Sequence, residues 1–454
     1  MKYNLLIFFS FFSLLICVEY MEVPFELNYF DQSESKLYEL MKKVFIEVES
    51  SIGQKQEKFK LALDQESISI AVPDINLKNP SGNFKKFDIS SSDTFQMTHN
   101  FSQIILYDER FSKGIEGNDS FKLGENKVSI INFTVANEYK FNYSPLTYNY
   151  AYLGLKMEIN SPSNLINNLL EQLKISKLIS HESWYLNFTS DNKGTFVIGG
   201  LPHEIDGKAF PENSKITDPT SEYSQLYRMK FNEIYYGKIE DFDKREKTEN
   251  KDVHFTLTTK YMICTDDFWT IISPFFTDKI RNNICQTTGL TADNYIYYYC
   301  YKDKFIMSEM QNVNFYLKSF NFTFVFEPKD LFYEKDGILY FLITTKKEEG
   351  ENYQWNLGTT FLEKYIVAFN KDDKLRYFYE KNKKQDNPVD SGSNDSIYII
   401  IISILSVVFI ACIGFFVFYI IKIKPRKKKA NELDEDFDYQ AKDNEKGTTP
   451  ILNE

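Results

Sequence analysis

The chain has 454 residues, 43% apolar and 26% charged, and its 53 basic against 64 acidic side chains give a formal charge of −11. That much apolar material excludes wholesale disorder and suffices for more than one core, while the acidic balance excludes nucleic acid as a general partner, because phosphate binding needs a basic face. With 4 His, 5 Cys and no C-x-x-C or H-x-x-x-H spacing, neither a metal site nor any other cofactor is expected.

In chain order, residues 1–18 open with Lys2 and continue as a mostly apolar run from Leu5 to Val18. A positive start and so short an apolar core predict a signal peptide cleaved between Cys17 and Met21; an uncleaved anchor is the alternative. From about 24 to 382 the pattern is short alternating runs, such as 59–63, 103–107, 195–198 and 320–326, separated by Gly, Asn, Asp and Ser. With 17% aromatic residues, these predict strands. Two stretches read as helices, 161–178, with Leu165, Leu169, Leu170, Leu173 and Leu178 near helical spacing, and 267–282.

A polar linker covers 383–396, and an uncharged run of 25 residues follows from Ile397 to Ile421. At about 1.5 Å per residue it spans a ~30 Å bilayer core with room for tilt. Lys422, Lys424 and Arg426 to Lys429 mark its cytosolic side. The expectation is a single-pass protein of the secretory or surface membrane. Its ectodomain is lumenal or extracellular, and its acidic tail, 422–454, is cytosolic. N-x-S/T sequons at Asn100, Asn118, Asn132, Asn187, Asn321 and Asn394 all precede the span, as does a seventh at Asn142 with Pro145 close behind.

Read in order, several segments resemble the pepsin-like aspartic proteases. Ile52-Gly53 through Phe59 to Asp64 is similar to that family's I-G-T-P-x-Q-x-F-x-V-x-x-D strand, and it runs on to Val72-Pro73. Ser90 to Phe95 resembles its S-x-S-S-T-Y/F segment. Tyr107, followed by Gly114, Gly117 and Asp119, resembles its flap. Leu153-Gly154-Leu155 and Gly194 to Gly200 match two later strands, and Trp355-Asn-Leu-Gly358 through Phe361, Tyr365 and Phe369 matches W-x-L-G-x-x-F-L-x-x-Y-x-x-x-F-D, with Asn370 for the aspartate.

The resemblance implies an all-β, bilobal fold with lobes at 24–205 and 206–382 and few short helices. A central cleft would take an extended peptide or protein segment as an added strand. It also implies a disulfide between Cys285 and Cys300, a flap role for Tyr107 and a catalytic role for Asp64. Cys264 is left over as a buried free thiol, Cys17 goes with the signal peptide and Cys412 lies in the membrane run. Trp355 reads as core and His203 as a surface turn residue.

The family's chemistry needs two aspartates sharing one proton, one acting as base on a water and the other as acid to the carbonyl. The first is Asp64, but Gln65 and Glu66 stand where Thr-Gly is expected. The segment in register for the second is 255–264, which aligns Thr258 with the aspartate and Lys260 with its glycine. In the flap, Asp108, Glu109 and Arg110 replace the flexible glycines. Three readings follow. The chain is a catalytically impaired relative that binds peptide or protein in the cleft, an active aspartic endopeptidase pairing Asp64 with Asp266 or Asp267, or a surface coat protein with no cleft function.

Overall fold

The computed structural model describes residues 18–29, 44–77, 85–105, 111–140, 151–157, 168–211, 216–219, 226–238, 246–288, 294–347 and 354–381. A strand alone leaves its backbone groups unpaired, and the short alternating runs answer that by assembling into sheets. Among the described residues these are sheets of 13, 8 and 4 strands. The architecture is mostly β, in line with the expectation.

The largest sheet starts at Ile216–Pro219 and passes through Leu375–Glu380, Tyr365–Asn370, Ser183–Ser190 and Lys193–Ile198. It continues through Met21–Tyr29, Val44–Ile52, Glu57–Asp64, Ala151–Gly154 and Ala71–Pro73 to the hairpins ending at Gln96–Ile105. Strands from the second half of the chain therefore extend a sheet built mainly by the first. The junction is Phe369 opposite Trp184 and Asn370 opposite Ser183. Trp184 and Phe369 pack with ring centroids 4.8 Å apart. Tyr227 meets Phe369 at 5.0 Å, accepts the Trp184 indole N–H at 3.4 Å and donates its hydroxyl to the Leu155 carbonyl. Burial drives the Tyr227 phenol far up, so it stays a neutral donor.

The second sheet centres on Arg228–Tyr236, Glu246–Phe255 and Gln354–Leu357. The smallest carries the expected disulfide, with Cys285 and Cys300 directly opposite on antiparallel strands. Cys264 is buried and outside the disulfide, its thiol pushed well up by desolvation. Trp355 is fully buried against Phe268 and Phe315, as expected of a core indole.

Two landmark segments prove to be one unit. Fully buried Asp119 accepts the Ser92 hydroxyl at 2.6 Å, the Thr94 hydroxyl at 2.5 Å and the Ser120 N–H at 2.7 Å. Gly117 lies so close to Phe95 that a Cβ there would come within 2.3 Å of the ring.

The helix expected at 267–282 spans Asp266–Arg281, with Asp266 and Asp267 at its positive end and Lys279 and Arg281 at its negative end. Of the helix expected at 161–178, the described part is Leu169–Ile175, capped by the Asn168 side chain on the Leu170 and Glu171 N–H groups. In 320–326 the strand begins only at Phe322, because Asn321 adopts a left-handed turn after a short 3-10 segment.

Asn118, Asn132 and Asn187 sit half-buried on strands, Asn321 is exposed, and the Asn100 backbone lies in Gln96–Ile105. Asn142, Asn394 and Tyr107, the signal peptide, linker, membrane run and tail lie outside the described residues. Among the described residues no helix is long and apolar enough to cross a membrane.

An internal ion pair ties helix Thr359–Lys364 to the loop that follows strand Glu246–Phe255. Lys260, 1% exposed, donates to both Glu363 carboxylate oxygens at 2.6 and 2.8 Å, and Lys381 donates to the Glu363 carbonyl at 2.8 Å. Burial pushes the Glu363 carboxyl up to about 7 against the pull of Lys260, and lowers Lys381 to about 8. Breaking such a pair from one side strands the other charge. Glu363→Leu should therefore cost about 3–5 kcal/mol by urea unfolding, and Lys260→Met with Glu363→Leu should recover most of it. A double variant as unstable as the single one would contradict this.

Candidate active site

The central loops follow from two parallel strand pairs. In the first half, Glu57–Asp64 runs parallel to Ala151–Gly154, with Leu63 opposite Leu153 and Asp64 opposite Gly154. In the second, Glu246–Phe255 runs parallel to Gln354–Leu357, with Phe255 opposite Leu357. The next pair in that register is Thr256 and Gly358, and the Thr256 N–H indeed bonds the Leu357 carbonyl at 2.9 Å.

The two loops repeat each other beyond the strands. A Cβ on Gly154 would meet Ser67 O and Ser69 N at 2.6 Å, and one on Gly358 would meet Thr259 O at 2.5 Å and Tyr261 O at 2.2 Å. Ser67 and Ser69 lie three and five residues after Asp64, as Thr259 and Tyr261 do after Thr256. Only glycine allows either approach. The side chains repeat the pattern. Asp64 Oδ1 accepts the Glu66 N–H at 2.9 Å and the Ser67 N–H at 3.3 Å, while Thr256 Oγ1 accepts the Thr258 N–H at 3.3 Å.

This corrects the alignment read from the sequence. The residue matching Asp64 is Thr256, and Thr258 falls two positions later, where the first loop has Glu66. Three threonines in four residues (Thr256, Thr258 and Thr259) left the sequence without an anchor. The parallel register with Leu357-Gly358 supplies it. Asp64 and Thr256 are both buried, at 2% and 5% exposure, and Thr258 is half-buried with its hydroxyl 2.9 Å from that of Thr256.

The residue that joins the loops is Gln65. Its Nε2 donates to the Phe255 carbonyl at 2.6 Å and its Oε1 accepts the Leu257 N–H at 3.1 Å, so one amide grips the second loop on both sides of Thr256. Glu66 adds a second contact, its Oε1 lying 3.4 Å from His254 Nε2, an ion pair when the imidazole is protonated. The bond to His254 holds the Glu66 carboxyl below its ordinary range. A depressed carboxylate contributes stability that is present above about 4.5 and lost as pH falls through its lower folded value. Neither Gln65 nor His254 stands out in the sequence, because the contact spans some 190 residues.

The other candidates lie elsewhere. Asp266 accepts from Lys347 at 2.9 Å and Thr345 at 3.2 Å at the start of its helix. Asp267 pairs with Lys251 at 2.5 Å. His203, read as a surface turn residue, is half-buried in Pro202–Ile205, bonds the Tyr379 hydroxyl at 2.6 Å and stacks on its ring. Among the described residues no cluster suits a metal ion.

Gln65→Ala strands a buried carbonyl and a buried N–H. It should lower stability by about 2–4 kcal/mol in chemical unfolding, and Gln65→Glu should also destabilise, because a carboxylate facing the Phe255 carbonyl has no proton to donate. A loss below about 0.5 kcal/mol for Gln65→Ala would show that the grip carries no weight.

The geometry of paired loops on repeated strand exits agrees with a comparison made independently of it. The sequence matches the model of the family described as eukaryotic aspartyl protease over residues 47–378, from the strand before Asp64 to the last strand of the large sheet. Among curated proteins no match was found. A family match over well more than half its length, across both central loops, makes this chain a member of the eukaryotic aspartyl protease family.

Proposed function

We propose that the protein binds an extended peptide or protein segment in the cleft between its two halves and does not hydrolyse it. The observation that carries this reading is Thr256 at the position matching Asp64. Hydrolysis by this family's route needs one carboxylate to take a proton from water while a second, protonated one donates to the carbonyl. A threonine hydroxyl does not ionise in that range, so Thr256 cannot act as the second carboxylate of a proton-sharing pair with Asp64.

Two further features support the reading. Glu66 places a charged side chain where the family's glycine leaves room beside the reacting bond, and it is engaged with His254. Asp266 and Asp267, the carboxylates that would rescue an active enzyme, are each paired with a lysine. The sequons and the run at 397–421 add the setting: a glycosylated ectodomain in the secretory pathway or at the surface, held by one membrane span.

The test is incubation of the purified full-length chain with a diverse peptide mixture from about pH 3 to 7, where a carboxylate dyad can share a proton. Mass spectrometry should find no cleavage, while peptides co-purify with the folded protein. Cleavage abolished by Asp64→Asn would overturn the proposal and favour the active endopeptidase.

A further inference from the structure

One nitrogen at the junction of the two loops faces partners of opposite demand. His254 Nε2 lies 3.4 Å from Gln65 Nε2, which can only donate, and 3.4 Å from Glu66 Oε1, which as a carboxylate can only accept. The usual ambiguity of a glutamine amide does not apply. Its oxygen takes the Leu257 N–H and its nitrogen the Phe255 carbonyl, so a flip would break both bonds. The second Gln65 N–H has two acceptors in reach, the Glu66 carboxylate and bare His254 Nε2. Protonated Nε2 must instead donate, and Glu66 is the acceptor in reach.

We propose that His254 is a proton-operated latch between the two halves. Unprotonated, it accepts from Gln65; protonated, it transfers its bond to Glu66 and ties the second-half strand to the first-half loop by a charged pair. Acidification thus tightens the junction under the cleft, and neutral pH leaves it to Gln65 alone. This goes beyond the binding proposal and holds whether or not the cleft takes a peptide.

The surroundings set the balance. Arg228 is directly opposite His254 on the neighbouring strand, Asn356 is its partner on the other side, and Asp252 lies two residues back on its own strand. Lys156 acts electrostatically on Glu66, and Asp64 and Glu66 both act on the Tyr227 phenol. Arg228 opposes the charged state, whereas Asp252 and Glu66 favour it. The His254 side chain is only 15% exposed, so its neighbours are chiefly protein groups.

The direct readout is imidazole nitrogen NMR of the full-length chain labelled at histidine, with His254→Gln to assign the resonance among four histidines. At about pH 8 the signals should report bare Nε2 and protonated Nδ1, and at about pH 5.5 both nitrogens protonated. Nε2 carrying the proton at pH 8, or a ring still neutral at pH 5.5, would overturn the proposal.

A second arm is a melting cycle of wild type, Glu66→Gln, His254→Gln and the double variant. The cycle is needed because another histidine, His181, also lies between two carboxylates, Glu204 and Asp372. At pH 5.5 each single change should lower the melting temperature by about 2 °C, with the double no lower than either. At pH 8 that coupling should vanish. Additive losses at pH 5.5, or the same coupling at both pH values, would contradict the latch.

Discussion

The arrangement at the centre depends on the exit of two strands from two parallel pairs. Each strand must turn sharply over the glycine of its neighbour, Gly154 in one half and Gly358 in the other, and the carbonyl-lined cradle around each leaves no space for a side chain. That constraint fixes where Asp64 and Thr256 lie. It also brings the two loops close enough for one side chain, Gln65, to hold both. The flanking contacts build outward from there: His254 to Glu66 above the grip, and Lys260 to Glu363 beneath the second loop.

A symmetric pair of loops admits symmetric chemistry, and here the chemistry is not symmetric. The first loop carries an acid that accepts two backbone N–H bonds. The second carries a hydroxyl in the same place accepting one. The side-chain grip also runs one way, because the Leu257 side chain, at the position matching Gln65, has no polar atom to return it.

Much of the frame was legible in the sequence. The strand to Asp64, the helix from Asp266 and the Trp355 core rest on local pattern and the disulfide on the family resemblance, and each is found where expected. The second central position was misplaced by two residues because a threonine-rich run looks alike in either register. Contacts from some hundred residues away tell the registers apart, the hydrogen bond from Thr256 to Leu357 and the approach of Gly358 to the second loop. Gln65, His254 and buried Lys260 were illegible for a related reason. Polar residues in a loop or near a strand end are ordinarily solvated, and nothing local announces that these three are enclosed by partners from the other half or from a later helix.

The claim on which this account rests is that Thr256, not Thr258, stands opposite Asp64, and it can be tested without any activity. Placing an acid at each position in turn, Thr256→Asp and Thr258→Asp, and measuring unfolding free energy against pH reads their coupling to Asp64. Two carboxylates that must share a proton cannot both ionise. Thr256→Asp should therefore lose stability steeply as pH rises above about 4, and Asp64→Asn should remove that loss. Thr258→Asp should show little such dependence. The opposite pattern, with the coupling at position 258 and none at 256, would contradict the account.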